Sequence, residues 1–205
     1  MRLHNAGKYS GDESSLPQRD HPEGYVPFKE PENMKKFALY MNFLAIAILI
    51  VTLGLFYLRL FKYSFANGGT SFIFTKGFIG GFVLYLVTLV PHEFLHAIWF
   101  KEDVYYHHNL KQGMLFVVGT EDMPKWRFVA MSMCPNVVFG FVPYILFMIR
   151  PDLAILGYWG AMAIASGAGD YTNVFNCITQ VPKGGITYMS GMHSYWYMPK
   201  EDKCS

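Results

Sequence analysis

The sequence predicts an all-α membrane protein with about four transmembrane helices and a short cytoplasmic β-prone loop between helices two and three. Of the 205 residues, 52% are hydrophobic and only 16% are charged, which is far from the composition of an ordinary soluble domain. The polar residues concentrate near the N-terminus, in one central loop and in the tail. The apolar runs between them are long enough to cross about 30 Å of hydrocarbon. We therefore expect the chain to reside in a lipid bilayer.

Hydropathy divides the chain into three parts. A polar cytoplasmic N-terminal arm covers residues 1–36, a four-helix transmembrane domain covers residues 37–180, and a cytoplasmic tail covers residues 181–205. The arm lacks the apolar core of a cleavable signal, and its composition is typical of a flexible segment. The four membrane spans are predicted at residues 37–61, 77–100, 126–149 and 153–178.

The distribution of basic residues predicts the orientation in the membrane. Most Lys and Arg residues fall in the arm, the central loop and the tail, whereas Arg59, Lys62, Lys76 and Arg150 fall on the opposite side. Because loops rich in Lys and Arg stay in the cytoplasm, both termini are predicted to be cytoplasmic. Spans two and four then cross the membrane in the same direction, and the short turns make consecutive helices antiparallel neighbours.

The central loop contains an apolar stretch, Met114–Val118, that is bounded by Gly113 and Gly119. This pattern is typical of a strand or a hairpin. Two roles remain open for it. Its edge could receive an extended peptide segment by strand addition, or the strand could pack only on the protein's own helices.

Two classes of site are excluded by the pattern of cysteines and basic residues. Cys134, Cys177 and Cys204 are an odd number and lack metal-ligand spacing, so we interpret them as packing residues rather than a disulfide framework. No cluster of basic residues is interleaved with aromatic side chains, so we expect no nucleic-acid partner.

A metal-binding pattern lies inside the second span, at His92-Glu93-Phe94-Leu95-His96. On a helix the two histidines lie four residues apart on one face, where both can bind one zinc ion. Glu93 beside them is placed to act as a general base for water. Three ionisable residues in one turn of a membrane helix are costly, and a divalent cation would compensate them. The alternative is that these side chains only form hydrogen bonds with neighbouring helices or lie at the membrane surface.

Asp170 is the candidate third ligand. Besides Glu93, it is the only acidic residue inside the predicted spans. At 1.5 Å per residue, its depth in span four is within about 6 Å of the depth of His92 and His96 in span two. Small residues around it would allow the two spans to approach closely. The alternative is that Asp170 accepts a hydrogen bond from a ligating histidine without binding the metal itself.

Other polar residues are weaker candidates. His107, His108 and His193 fall in the loop or the tail, where histidines are usually solvated, although an adjacent pair can bind metal adventitiously. Asn136 follows Pro135 in span three. It could donate a hydrogen bond to a substrate carbonyl or oxyanion, or it could stabilise a helix kink.

The segment from residue 77 to 178 resembles a mainly bacterial family of integral membrane proteins described as putative zincin peptidases, and more distantly the site-2 proteases. The resemblance is carried by residues 91–97, the Lys125-Trp126-Arg127-Phe128 run, Cys134-Pro135 and Gly169-Asp170. It implies that His92, His96 and Asp170 are zinc ligands, that Glu93 is the catalytic glutamate and that Zn²⁺ is the cofactor. Gly169 and Tyr171 flank Asp170, whereas site-2 proteases typically have an Asn-Pro-Asp-Gly setting.

The resemblance implies a metalloprotease-like domain over residues 37–180 in an integral protein of the bacterial plasma membrane. The favoured function is hydrolysis of peptide bonds within or near the membrane, with a membrane protein or peptide as substrate. Two alternatives stay open: a non-catalytic membrane protein that binds or transports metal, and a pseudoprotease that serves as a scaffold.

Overall fold

The computed structural model describes residues 1–31, 34–67, 71–109 and 114–200, so Gly113 and Cys204 lie outside the described residues. Its helices are α1 (Met34–Asn67), α2 (Ser71–Ala97), α3 (Lys125–Pro135), α4 (Val142–Ile149), α5 (Ala154–Ser166) and α6 (Ala168–Gln180). Its strands are β1 (Arg2–Lys8), β2 (Val26–Pro27), β3 (Asp103–Asn109), β4 (Met114–Val118), β5 (Met123–Pro124), β6 (Ile186–Ser190) and β7 (His193–Tyr197). The chain forms two compact units, which we term the helical unit and the sheet unit.

The helical unit comprises Glu32–His92 and Cys134–Tyr171. In it, α1 and α4 both pack against α5. The rings of Phe56 and Phe147 stack with their centroids 4.5 Å apart, and the ring of Tyr158 lies 4.3 Å from that of Phe56. Other buried members of this core are Leu60, Tyr144, Ala154, Ala161 and Ile164. Packing of these apolar side chains holds α1, α4 and α5 together.

Three helical segments within the described residues are long and apolar enough to cross a membrane. They are Lys36–Ala66, Gly77–Ala97 and Lys125–Ile149, and they correspond to the first three predicted spans. The third combines α3 and α4 through a π-helical turn, Asn136–Phe141. This turn directly follows Pro135, which lacks the backbone donor that a regular α-helix requires at that position. The structure thus supports a membrane protein with three such helices.

The predicted fourth span is instead two helices, α5 and α6, of 13 residues each. A single helix of that length covers only about 20 Å, which is too short for the hydrocarbon core. The break falls at Gly167, where a Cβ would overlap the side-chain amide of Asn136. After this break the chain is also more polar, since α6 contains Asp170, Asn173 and Asn176.

The sheet unit comprises Met1–Pro31, Glu93–Met133 and Thr172–Ser205, and it shows that the prediction of an all-α protein was wrong. One sheet has the order β1-β3-β4, with β1 parallel and β4 antiparallel to β3. The other has the order β2-β7-β6-β5. The predicted strand Met114–Val118 is confirmed as β4. The remaining strands pair segments far apart in the sequence, and local patterns do not predict such pairing.

The N-terminal arm is folded over residues 1–31, so the prediction of a flexible segment was wrong there. Its strand β1 pairs with β3, and three apolar side chains of the arm, Tyr9, Leu16 and Phe28, are buried. Most side chains of β1 are exposed and polar, as expected of an edge strand. The three-part division at residues 36 and 180 stays a prediction.

A buried ion pair connects the end of α2 to the start of α3 within the sheet unit. Arg127 pairs with Glu121, and both side chains are less than a tenth exposed. The other carboxylate oxygen of Glu121 accepts hydrogen bonds from the backbone N–H groups of Lys101 and Glu102, at 2.7 and 2.6 Å. Arg127 Nε also donates to the carbonyl of Trp99, at 2.7 Å. This network holds the segment after α2 in a fixed position.

Replacing Gly160 with alanine is expected to destabilise the helical unit. A Cβ there would lie 2.7 Å from the backbone nitrogen of Tyr144 and 2.8 Å from the carbonyl oxygen of Gly140. Such overpacking typically costs about 1–3 kcal/mol of unfolding free energy. The matched control is Gly54→Ala in α1, where no atom lies within 4 Å of the added carbon. Thermal unfolding of both variants in one detergent tests this, and equal midpoints would contradict close packing at Gly160.

Candidate metal centre

The predicted metal motif occupies the last turns of α2, which ends at Ala97. His92, Glu93 and His96 each offer one ligand-type atom, and these atoms lie within 4.8 Å of one another. It is the one group of at least three His, Cys, Asp or Glu residues found with such spacing in the described part of the chain. The i and i+4 positions of the two histidines produce this clustering, because they lie one above the other on the helix surface.

His96 is oriented by a backbone carbonyl in the sheet unit. Its side chain is buried, and Nδ1 lies 2.9 Å from the carbonyl oxygen of Met131 on α3. A carbonyl oxygen can only accept, so Nδ1 carries the hydrogen and the lone pair of the ring is on Nε2. This is the tautomer of a metal-ligating histidine, which almost always donates its other ring N–H to a carbonyl or carboxylate.

His92 and Asp170, two of the predicted ligands, lie close together in the helical unit. His92 Nε2 lies 3.5 Å from Asp170 Oδ2, and their side chains are 15% and 17% exposed. Two ligand atoms bound tetrahedrally to one zinc, each at about 2.1 Å, are about 3.4 Å apart. The observed separation therefore fits a nitrogen and an oxygen that share an ion.

Asn136 holds the carboxylate of Asp170. Its fully buried amide donates from Nδ2 to Asp170 Oδ2 at 2.7 Å, and its Oδ1 accepts a hydrogen bond from Tyr171 Oη at 3.3 Å. The two roles predicted for Asn136, a donor to substrate and a polar contact at a helix kink, stay predictions, and neither named Asp170 as the partner. A signal was present in the sequence, since an Asn in an apolar run requires a polar partner, and Asp170 is one of few available.

The donor types present fit zinc. Two imidazoles and one carboxylate form a ligand set that is common at catalytic zinc sites, where a fourth position is left for water or substrate. In His96 the tautomer is fixed, and between His92 and Asp170 the spacing is suitable. The donor types and these two contacts are therefore compatible with zinc.

The weaker histidine candidates lie elsewhere. His107 is buried against the ring of Phe116, with centroids 5.3 Å apart, and burial lowers its pKa, as does the neighbouring His108. His193 lies between two carboxylates, with Glu13 at 3.6 Å and Glu30 at 3.4 Å. Desolvation of its buried carboxyl raises the pKa of Glu30. These contacts give the histidines structural roles in the sheet unit.

Tyr106 on β3 is a polar residue near the motif that the sequence analysis missed. Burial raises the pKa of its hydroxyl, and the negative charge of Glu93 raises this pKa further. Within the sheet unit, the carboxylate of Glu93 is therefore close enough to influence the hydroxyl of Tyr106 electrostatically. A strand rich in aromatic residues gives no local signal that one of them lies beside a helix about ten residues earlier in the chain.

Comparison with known proteins gives a match to one family description. No match was found among curated proteins or among solved structures. The likeness to site-2 proteases and the bacterial origin stay predictions. Residues 85–186, which include the motif, Asn136 and Asp170, match the model of a family described as putative zincin peptidase. This match covers just under half of the chain and supports a zincin-type peptidase at the level of that description.

Proposed function

We propose that this chain is a membrane-embedded zinc metalloprotease that hydrolyses peptide bonds within or near the bilayer. The observation that carries this proposal is the placement of the two histidines, whose contacts suit them to bind a metal ion. His96 donates from Nδ1 to Met131, and His92 lies at ligand-sharing distance from Asp170. Both histidines belong to Gly77–Ala97, a segment apolar enough to cross a membrane. The family description supports the same class of chemistry.

In this proposal His92, His96 and Asp170 hold the zinc. When bound, zinc polarises a carbonyl group and lowers the pKa of water towards about 7. Asn136 keeps the Asp170 carboxylate in place through its 2.7 Å hydrogen bond. The carbonyl of Met131 keeps the His96 ring in the required tautomer. These two contacts reduce the side-chain reorganisation that metal binding would otherwise require.

In this proposal Glu93 transfers a proton from the attacking water to the amide nitrogen of the cleaved bond. Its carboxylate takes a proton from the attacking water as the water oxygen forms a bond with the carbonyl carbon. It then gives this proton to the amide nitrogen while the carbon–nitrogen bond breaks. One side chain thus acts as base and then as acid, and its position within 4.8 Å of the histidine nitrogens suits that role.

The substrate in this proposal is a membrane protein or a membrane-associated peptide. We place the protein in the bacterial plasma membrane, as the family resemblance implies. The distribution of Lys and Arg puts both termini in the cytoplasm. The site then lies near the cytoplasmic end of α2, so the products leave on the cytoplasmic side.

A non-catalytic metal site is the second candidate. It is favoured by the inclusion of Glu93 in the same 4.8 Å group as the histidines, since a carboxylate at that distance could itself bind the ion. A passive site would use His92, Glu93 and His96 as its ligands, and Asp170 would then have no direct role.

Zinc content and cleavage test the proposed function. Full-length protein, purified in detergent without chelators, is expected to hold about one zinc per chain. After reconstitution with single-span membrane proteins, it should generate new N-termini that mass spectrometry detects. Chelation should stop cleavage, and added zinc should restore it. His96→Ala should lose both the metal and the activity, whereas the control His193→Ala should keep both. Wild-type protein without zinc after metal is added back would contradict the proposal.

A further inference from the structure

Tyr106 shares a face of β3 with a residue of the buried core. Residues two apart on a strand point to the same side, so Val104, Tyr106 and His108 share one face. Val104 is fully buried in the same apolar cluster as Ala97 and Phe100, which lie at and just after the end of α2. On β4, Val117 is the register partner of Tyr106 and packs against this cluster. This face of the sheet therefore faces the end of α2.

Tyr106 and Glu93 each lie a short distance along their own element from a member of this cluster. Tyr106 lies two residues beyond Val104, which is about 6.6 Å along a strand. Glu93 lies four residues before Ala97, about one turn along the same helix face. The influence of the Glu93 charge on Tyr106 agrees with this placement. A tyrosine hydroxyl has an ordinary pKa of about 10, so Tyr106 keeps its proton at neutral pH and is available as a hydrogen-bond donor.

We propose that Tyr106 is a catalytic residue that contacts the peptide group being cleaved. Its hydroxyl donates a hydrogen bond to the carbonyl oxygen of the scissile bond. This inference rests on the proposed function and assigns a further residue to the same site. Tyr106 is half-buried, so part of its side chain stays accessible to a substrate.

The chemical need for such a donor follows from the charge that develops. When the water oxygen bonds to the carbonyl carbon, the π electrons of the carbonyl move to its oxygen, which becomes negative. Glu93 holds the proton removed from the water and is itself neutral at that stage. A fixed O–H donor stabilises the negative oxygen more than the neutral carbonyl, and this difference lowers the barrier. The donor releases no proton, so the later transfer from Glu93 to the amide nitrogen completes the balance.

The variant Tyr106→Phe removes the hydroxyl and keeps the ring. The control is Tyr105→Phe, which makes the same change on the opposite face of the same strand, where Tyr105 stacks on His4 at 5.0 Å. Both are compared as zinc-loaded full-length protein. Loss of one oxyanion donor typically costs about 100-fold or more in kcat. We expect a loss of that order for Tyr106→Phe with KM and zinc content unchanged, and no change for Tyr105→Phe.

A binding measurement gives a second readout that does not depend on turnover. The probe is a phosphinic peptide, whose tetrahedral, negatively charged group replaces the cleaved bond. Its Kd, measured by calorimetry, should rise at least 10-fold in Tyr106→Phe and stay unchanged in Tyr105→Phe. Thermal midpoints within a degree or two of wild type would show that the fold is retained.

The outcomes separate this inference from the proposed function. If wild type cleaves and Glu93→Gln does not, but Tyr106→Phe has wild-type kcat and wild-type phosphinate affinity, the Tyr106 assignment is overturned and the protease stands. If wild type cleaves nothing, yet Tyr106→Phe weakens phosphinate binding relative to Tyr105→Phe, the protease fails and the contact stands. Unchanged binding together with no wild-type cleavage overturns both.

Discussion

Replacing Glu93 with glutamine is expected to abolish proteolysis while zinc stays bound. The amide has nearly the same size and occupies the same turn of α2, but it cannot take a proton from water. General-base catalysis contributes about 10²–10⁴-fold to a rate. We expect cleavage to fall about 10³-fold, which corresponds to about 4 kcal/mol of transition-state stabilisation. Single-turnover cleavage and elemental zinc analysis on one preparation measure both quantities.

The matched control for this variant is Glu102→Gln, which changes an exposed carboxylate just beyond the end of α2. It should retain both zinc and activity. Loss of zinc in Glu93→Gln would identify Glu93 as a ligand and favour the passive metal site. Full activity of Glu93→Gln would require another base and would remove the central role of the motif.

The membrane helices could be predicted from the sequence because hydropathy reports on the surroundings of each residue in turn. The runs that became α1 and α2 are long and apolar, and both are long enough to span a bilayer. The break at Gly167 could not be predicted in this way, because it depends on the close approach of Asn136 from a different helix. A hydropathy profile carries no information about a contact between different helices.

Among the strands, too, some could be predicted from the local sequence and others could not. β4 could be predicted from a short apolar run between glycines, but β1 has no alternating pattern and pairs with a strand about 100 residues later in the chain. One signal was overlooked. Gly191 and Met192 separate β6 from β7, and Gly191 has φ of 62°, as expected for a two-residue hairpin with glycine at its first position.

At the candidate site, the residue types could be predicted and their partners could not. The spacing of His92 and His96 is visible in the sequence, and Asp170 is conspicuous as a charge in an apolar run. The bond from His96 to the carbonyl of Met131 depends on how α2 and α3 are aligned. The bond from Asn136 to Asp170 depends in the same way on where the π-helical turn meets α6. Such contacts arise only when the helices are packed.

Removing the carboxylate of Asp170 is expected to eliminate zinc binding. Asp170→Ala leaves two imidazoles, which is fewer than the three protein ligands of a catalytic zinc. A zinc ion that binds only the folded state adds about 4 kcal/mol of unfolding free energy at 1,000 times its Kd. Zinc should therefore raise the thermal midpoint of wild type and leave that of Asp170→Ala unchanged. If Asp170→Ala bound zinc as tightly as wild type, Asp170 would be a hydrogen-bond partner rather than a ligand.

Asn136→Leu separates the ligand from the residue that orients it. Leucine has the same number of side-chain heavy atoms and the same branching but cannot donate to Asp170 Oδ2, so the carboxylate remains present without its 2.7 Å hydrogen bond. Loss of such an outer partner typically weakens metal affinity about 10–100-fold. Zinc titration should therefore rank the proteins as wild type, then Asn136→Leu, then Asp170→Ala. If Asn136→Leu lost zinc as completely as Asp170→Ala, the graded ranking would fail. The buried amide would then be needed to form the site and not only to hold one of its ligands.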